Sequence, residues 1–294
     1  MDRAKELVIV SGKGGTGKTT LTASLVKIIK EKVIVDADVD ASDLFILLSP
    51  ELKEKSKFKG KAVASIDQGK CTHCGLCEQY CRFDAIHKNE NGDYTVNSYK
   101  CDGCYLCSYV CPVGAISMVP QVVGEWYLSD TDFGAMVHAR LNPGDENSGN
   151  LVTMVKHQAQ LIASEKKISR IIIDGPPGTG CPVISALSGA TVAIIVTEPT
   201  LSGMHDLDRI LKLAEQFKVV PKIVINKYTL NSDNVKSIEK FAEENGVEII
   251  GKIPFDKCIV DKLSHKLTPI DGEGCDEVKK EIFSIAEKVL PLIS

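Results

Sequence analysis

The sequence predicts an α/β protein: a doubly wound, mostly parallel sheet interrupted by a small α+β insert rich in cysteine. Three observations predict it. Short β-branched runs alternate with helical periodicity over most of the chain, as expected for a parallel sheet covered on both faces. The first run leads directly into a glycine-rich loop and a helix. Eight of the eleven cysteines crowd between Cys71 and Cys111, a density that reads as metal ligation rather than as disulfides spread to staple a fold.

In chain order, Leu7-Val-Ile-Val10 is the first strand. The next helix covers 18–32, with Leu21, Leu25, Val26, Ile28 and Ile29 supplying a buried side. Val33-Ile-Val35 is a second short strand. The lysine-rich segment from Lys53 to Lys61 reads as a flexible, solvated stretch. Between 63 and 117 the segments are short, with Asn91-Gly92 as a hairpin turn. The larger pattern then resumes. Strands are expected at Ile171-Ile-Ile173, Val192-Ala-Ile-Ile-Val196 and Ile223-Val-Ile225, with a short one at 247–250. Helices are expected at 150–166, 203–217, 232–245 and 275–290. The expected organisation is a discontinuous large domain, 1–62 and 118–294, around an insert at 63–117.

The net charge of −4 gives no basic surface for sequence-independent nucleic-acid binding. No apolar run reaches the roughly 18 residues that span a bilayer. The chain begins almost at once with a strand, Glu6-Leu-Val-Ile-Val10, which leaves no room for a signal peptide. The expectation is a cytoplasmic protein with reduced thiols and neither nucleic acid nor membrane as partner.

Gly12-Lys-Gly-Gly-Thr-Gly-Lys-Thr19 satisfies G-x-x-x-x-G-K-[ST] between a strand and a helix. Glycines let successive backbone N–H groups turn inward around phosphate oxygens, and the helix N-terminus adds its dipole. Gly12, Gly14, Gly15, Thr16, Gly17, Lys18, Thr19 and Thr20 are thus the expected ATP-binding residues. Lys18 reaches the β- and γ-phosphates, and the Thr19 hydroxyl ligates Mg²⁺. Val33-Ile-Val-Asp-Ala-Asp38 ends a strand with two carboxylates, where Mg²⁺ and an attacking water would lie. Asp174 ends another strand, in Ile171-Ile-Ile-Asp-Gly-Pro-Pro-Gly178, where a carboxylate holds the metal's water shell. The competing reading is that each aspartate only caps the following turn.

The second lysine of the loop, Lys13, adds a resemblance. Outside 63–117 the chain resembles the deviant P-loop ATPases, the group of MinD/ParA, Mrp and the nitrogenase iron protein. The resemblance implies an ATP-dependent homodimer, or a heterodimer with a paralogue, in which Lys13 reaches the partner's phosphates. It makes Lys13, Lys18, Asp38 and Asp174 the catalytic set. Asp38 orients the attacking or Mg²⁺-bound water, and Asp36 supports it. Asn226-Lys-Tyr228 and Ile253-Pro-Phe-Asp256 resemble the adenine-contacting segments, through Asn226, Pro254 and Asp256. An Asn after a strand is also an ordinary turn residue.

Each cysteine run is C-x₂-C-x₂-C-x₃-C, the bacterial ferredoxin spacing. In that pattern three ligands come from one run and the fourth from the other. The expected [4Fe–4S] sets are Cys71, Cys74, Cys77 with Cys111, and Cys101, Cys104, Cys107 with Cys81. Zinc is the alternative, but paired knuckles would not need three cysteines at this spacing twice. The runs repeat each other, and Ala85-Ile86 answers Ala115-Ile116. The second run ends Cys111-Pro112 as the pattern expects, whereas the first ends Cys81-Arg82. The Arg82 charge is expected to favour the reduced state of the neighbouring cluster. Tyr80, Tyr105 and Tyr109 are expected to shield the clusters from water, and His73 to be a solvated filler.

Cys181 stands seven residues after Asp174, an offset at which the nitrogenase iron protein has a cluster ligand. The candidate counterpart of that protein's second cysteine loop, Pro143-Gly-Asp-Glu-Asn-Ser-Gly149, contains none. Cys181 is therefore a buried structural thiol, a transient metal contact or a redox-sensitive group; Cys258 and Cys275 read as structural. The whole resembles MinD-superfamily ATPases with an inserted ferredoxin domain. Three functions follow from that likeness: nucleotide-gated electron transfer to a redox partner, cluster delivery to an apo-metalloprotein, or a redox-sensing positioning switch. The mixed charge of 275–291 and the Val278, Ile282, Ile285, Val289 spacing suit a docked helix rather than a membrane-binding one.

Overall fold

A computed structural model describes residues 3–144 and 148–294. Positions 145–147, within the loop compared above with the iron protein, lie outside the described residues. The chain forms two compact units, one of Met1–Ser56, Trp126–Leu141 and Ser148–Ser294, the other of Lys57–Glu125 and Asn142–Asn147.

The larger unit begins with β1 (Lys5–Ser11), whose glycine-rich exit leads into α1 (Lys18–Ile28) and β2 (Val33–Asp36). The short α2 (Leu44–Leu48) precedes β3 (Glu51–Ile66). The smaller unit follows, with α3 (Leu76–Gln79), β4 (Ile86–Lys88), β5 (Tyr94–Val96) and α4 (Leu106–Val110). The chain returns through β6 (Ile116–Thr131) and β7 (Gly134–Leu141). It continues through α5 (Ser148–Lys166), β8 (Arg170–Pro177), α6 (Cys181–Leu187), β9 (Val192–Thr197), α7 (Leu201–Gln216) and β10 (Val220–Asn226). It closes with α8 (Ser232–Glu244), β11 (Glu248–Ile253), α9 (Lys257–Ser264) and α10 (Asp276–Val289).

The sheet runs β11-β10-β9-β1-β8-β2-β7-β6-β3, and from β11 to β7 neighbouring strands are parallel. Strand alternation divides its faces. Leu7 and Ile9 join the core formed with Leu21 and Leu25 of α1 and Ile282 and Ile285 of α10. Glu6, of opposite parity, pairs with Lys156 of α5 at 3.0 Å. The strand between these faces is fully buried from Leu7 to Val10, which explains an uninterrupted apolar run. β1 lies between β8 and β9, where strand order reverses direction from the first crossover. Ligands of open α/β sheets bind at such a point.

Several expectations are corrected. The lysine-rich segment is part of β3 rather than a flexible stretch: Lys53, Lys55, Lys57 and Lys59 fall at period two and are exposed. A sheet edge tolerates such charge and discourages further pairing. The first helix stops at Ile28 rather than at 32, because Ile29 is already extended (ψ 124°) and Glu31 turns the chain with φ 52°. The strands β6 and β7 carry no simple alternation and were not expected. Cys258 and Cys275 are joined by a disulfide, against the expectation that all cysteines are reduced. Among the described residues no helix is long and apolar enough to cross a membrane.

In the smaller unit the cysteine runs adopt matching backbones. Gly75 before α3 and Tyr105 before α4 both take the left-handed conformation, at φ 81° and 66°. Cys71 N–H donates to Asp67 O and Cys101 N–H to Asn97 O, each at 3.0 Å. Asp67 N–H in turn donates to Ala115 O at 2.8 Å and Asn97 N–H to Ala85 O at 2.7 Å, so each run is tied to the end of the other. β4 and β5 form the hairpin around Asn91-Gly92, with Gly92 at φ 88°.

Candidate functional site

The C-terminal end of β1 opens into a cavity of about 490 Å³. Gly14, Gly15, Gly17, Lys18, Thr19 and Thr20 form its phosphate end, with Asp38 beside them. Gly17 carries a positive φ of 92°, and a Cβ there would stand 2.4 Å from Asn226 Nδ2. The loop therefore needs glycine for both its turn and its contact with β10. Lys18 is almost fully buried, with Nζ 4.0 Å from Asp38 Oδ2. Thr16 is also buried, and its hydroxyl has no hydrogen-bond partner among the described residues.

Three buried carboxylates, Asp36, Asp38 and Asp174, lie at the neighbouring strand ends. Thr19 Oγ1 donates to Asp174 Oδ2 and Thr22 Oγ1 to Asp174 Oδ1, both at 2.7 Å. Asp36 accepts from Ser42 Oγ at 2.7 Å and from the Leu44 and Asp38 N–H groups at 3.2 Å. Burial, and then the charge of Asp174, raise the Asp36 carboxyl well above the usual range. Burial raises Asp174 as well, opposed by Lys18 and the two hydroxyls. Burial likewise raises Asp38 to about 6, with Lys18 pulling the other way. Asp38 and Asp174 share the single ammonium of Lys18, a donor set short of positive charge. The oxygen donors of Thr19, Asp38 and Asp174 suit Mg²⁺, which keeps several waters and needs only one or two protein ligands besides phosphate. Among the described residues no three His, Cys, Asp or Glu side chains are grouped so as to hold a metal ion.

Gly12 and Lys13 do not line this cavity. Lys13 Nζ lies 3.2 Å from Glu198 Oε2, with Ser202 and Thr200 hydroxyls at 3.4 and 3.5 Å. Lys227 pairs with the other oxygen of the same carboxylate. Asn226 does line the cavity, but its Nδ2 donates to Thr16 O at 2.7 Å and its Oδ1 accepts from Lys227 N–H at 2.9 Å. The side chain thus holds the phosphate loop. Pro254 and Asp256 line the opposite end with Phe255, Ile259, Val260, Leu263, Val278 and Ile282. Asp256 Oδ1 caps α9 by accepting from Cys258 N–H at 2.9 Å.

Sequence reasoning missed Thr22, Glu198 and Lys227. Thr22 lies one turn beyond Lys18 on the same helix face, so helical spacing carried a signal for it. Glu198 and Lys227 follow the ends of adjacent parallel strands, and only sheet order makes them neighbours.

The smaller unit has two further cavities. One is lined by Cys71, Cys74, Cys77 and Cys111 with Ile66, Leu76, Tyr94 and Ile116. The other is lined by Cys81, Cys101, Cys104 and Cys107 with Tyr80, Phe83, Tyr105 and Met118. Each takes three thiols from one run and one from the other. The crossing thiol accepts a backbone hydrogen bond in both: Ala85 N–H to Cys81 Sγ at 3.4 Å, Ala115 N–H to Cys111 Sγ at 3.3 Å. Four cysteines line each mainly apolar cavity, and one of the four accepts a backbone amide. Tyr80 and Tyr105 line the second cavity. Tyr109 does not, and at 89% exposure it shields nothing, contrary to expectation. His73 is exposed and bonds Gly92 O at 3.1 Å. Cys181 is exposed at the start of α6, which overturns the buried structural reading.

Comparisons with known proteins agree with the larger site. Residues 7–270 match the family model described as the CobQ/CobB/MinD/ParA nucleotide binding domain. An uncharacterized protein of Methanocaldococcus jannaschii is 30% identical, over 98% of this chain and 97% of its own length. The cell division ATPase MinD of Pyrococcus furiosus shares the fold at a TM-score of 0.58 and 19% identity, covering 98% of this chain and 99% of the other. MinD of Pyrococcus horikoshii, solved with Mg-ADP, gives 0.57 at 19% identity, covering 97% and 95%.

Proposed function

The chain belongs to the CobQ/CobB/MinD/ParA nucleotide-binding family, and on that premise we propose a Mg²⁺-dependent ATPase that couples ATP-driven dimerisation to electron transfer. In this reading Lys18 and the inward N–H groups of the loop hold the β- and γ-phosphates. Thr19 and Asp174 hold Mg²⁺ and its waters, and Asp38 orients the attacking water by accepting its hydrogen bond. Lys13 leaves Glu198 when a second copy docks and reaches the partner's phosphates. The likeness to a MinD solved with Mg-ADP supports this assignment of the pocket.

The smaller unit would act as a bacterial-type ferredoxin domain. The observation that carries this part is the pair of cavities, each lined by four thiols in the crossed pattern. Cys71, Cys74, Cys77 and Cys111 would hold one [4Fe–4S] cluster, and Cys101, Cys104, Cys107 and Cys81 the other. When bound, such clusters supply one-electron transfer. The chain's own part is to exclude water with Ile66, Ile116 and Met118 and to donate the Ala85 and Ala115 N–H groups to sulfur. Both proposed ligand sets would come from one chain, which favours a relay to a redox partner over delivery of clusters to an apo-metalloprotein.

Anaerobically purified protein should carry ~8 iron atoms per chain, the content of two [4Fe–4S] clusters. ATP should change the rate at which the reduced protein passes electrons to an acceptor dye, and Lys18→Ala should abolish that response. A rate indifferent to both would sink the coupling. A second reading, a positioning switch that senses redox state, is favoured by the likeness to MinD. ATP-dependent sedimentation with anionic vesicles would select it.

A further inference from the structure

Cys258 and Cys275 belong to the two helices, α9 and α10, whose other residues wall the apolar end of the pocket. Cys258 is in the first turn of α9, and Cys275 immediately precedes α10. Their Cα atoms are 5.7 Å apart and the sulfurs are bonded, a separation within the usual disulfide range. The two walls differ in anchorage. Val278, Ile282, Ile285 and Val289 of α10 are all buried. α9 has no buried residue, and Val260 is 65% exposed. Ile259, Val260 and Leu263 of α9 and Val278 and Ile282 of α10 line the same cavity.

The chain after α9 is pinned separately. Lys27 of α1 pairs with Asp271 Oδ2 at 2.6 Å, and Thr268 donates N–H and Oγ1 to the same oxygen at 2.7 and 2.8 Å. Before α9, Phe255 N–H donates to Thr229 Oγ1 at 3.0 Å. The disulfide is therefore a direct tie between a helix with no buried residue and a firmly docked one.

We propose that Cys258–Cys275 is a thiol-redox site that sets how tightly the pocket grips the base of its nucleotide, with an external dithiol as co-reactant. The proposal rests on the pocket being the nucleotide site. One thiolate of the dithiol attacks the sulfur of Cys258, a half-buried residue where Cys275 is buried. The Cys258–Cys275 bond breaks, a mixed disulfide forms, and Cys275 leaves as thiolate and takes a proton. The second thiol of the dithiol closes on the first and releases Cys258. Two electrons and two protons pass to the protein, and the dithiol becomes a cyclic disulfide. With the tie cut, α9 samples open positions. If it is closed about a tenth of the time, the apparent Kd rises about tenfold.

The test is anaerobic titration of the full-length chain with a fluorescent N-methylanthraniloyl-ADP and Mg²⁺. One sample is oxidised with trans-4,5-dihydroxy-1,2-dithiane and the other reduced with dithiothreitol, and peptide mapping reports the bond in each. The expected result is a Kd about tenfold lower with the bond intact. Cys258→Ser/Cys275→Ser should give the reduced value in both buffers, and Cys181→Ser should follow the wild type. Equal affinity in the two wild-type samples overturns the redox site while leaving the nucleotide reading intact. So do free thiols at both positions after oxidation. Absence of binding in both samples overturns the nucleotide reading and this proposal with it. The wild-type comparison decides the matter even if the double variant fails to fold.

Discussion

Asp174 shows how the site is held at the scale of single residues. Its two oxygens take one hydroxyl each, from Thr19 and Thr22, so a buried carboxylate stays satisfied inside the sheet. Thr22→Val keeps the shape and removes one donor. The expected cost is about 1–3 kcal/mol of stability, the usual penalty for a buried acceptor that loses its donor; urea melts should show the midpoint fall. An unchanged midpoint would mean that the hydroxyl contributes nothing. His138 makes a separate prediction. Burial lowers its pKa to about 4, and Nε2 lies 3.0 Å from Ser129 Oγ while the ring stacks on Tyr127. The folded form therefore binds fewer protons than the unfolded form between about 6.5 and 4. Its contribution is fully present above pH 6.5 and is lost as pH falls through that window. His138→Gln should lose less thermal stability than the wild type from pH 7.5 to 4.5. Parallel slopes would refute the assignment.

At the scale of elements, α10 was readable because Val278, Ile282, Ile285 and Val289 repeat on one face, and all four are buried. Its partner was not readable. Gly251 of β11 permits the approach: a Cβ there would meet Ile285 Cγ1 at 2.4 Å. Gly251→Ala should overpack the contact, costing about 1–3 kcal/mol. Ile285→Ala should cost about 2–5 kcal/mol by leaving a cavity. Combined, the new methyl occupies part of that cavity, so the double variant should be more stable than the summed losses predict. Additive losses in denaturant melts would show that the two sites do not touch. The matching backbones of the two cysteine runs were legible for a similar reason, since the repeated spacing is a local property. The strand β3 was missed because alternating lysines at a sheet edge and a solvated loop have the same composition.

For the whole molecule, the loop lysine is the part that one chain leaves open. In the single chain Lys13 rests on Glu198, away from the phosphate cavity. Lys13→Ala should keep nucleotide affinity within about threefold, a change of less than 1 kcal/mol. It should remove the ATP-dependent doubling of mass that light scattering would report for the proposed dimer. A variant that still doubles would remove Lys13 from the interface. The sequence by itself determined the phosphate loop, the acids at its flanking strand ends, the alternation that yields a mainly parallel sheet, and the two cysteine runs. Each of these is written in residues close together in the chain, where spacing fixes geometry. Only the tertiary structure decided that Glu198 and Lys227 meet, that Asn226 braces the loop through Thr16, and that Cys258 bonds Cys275. Those contacts join segments whose distance in the chain says nothing of their distance in space, and strand order and helix docking set them.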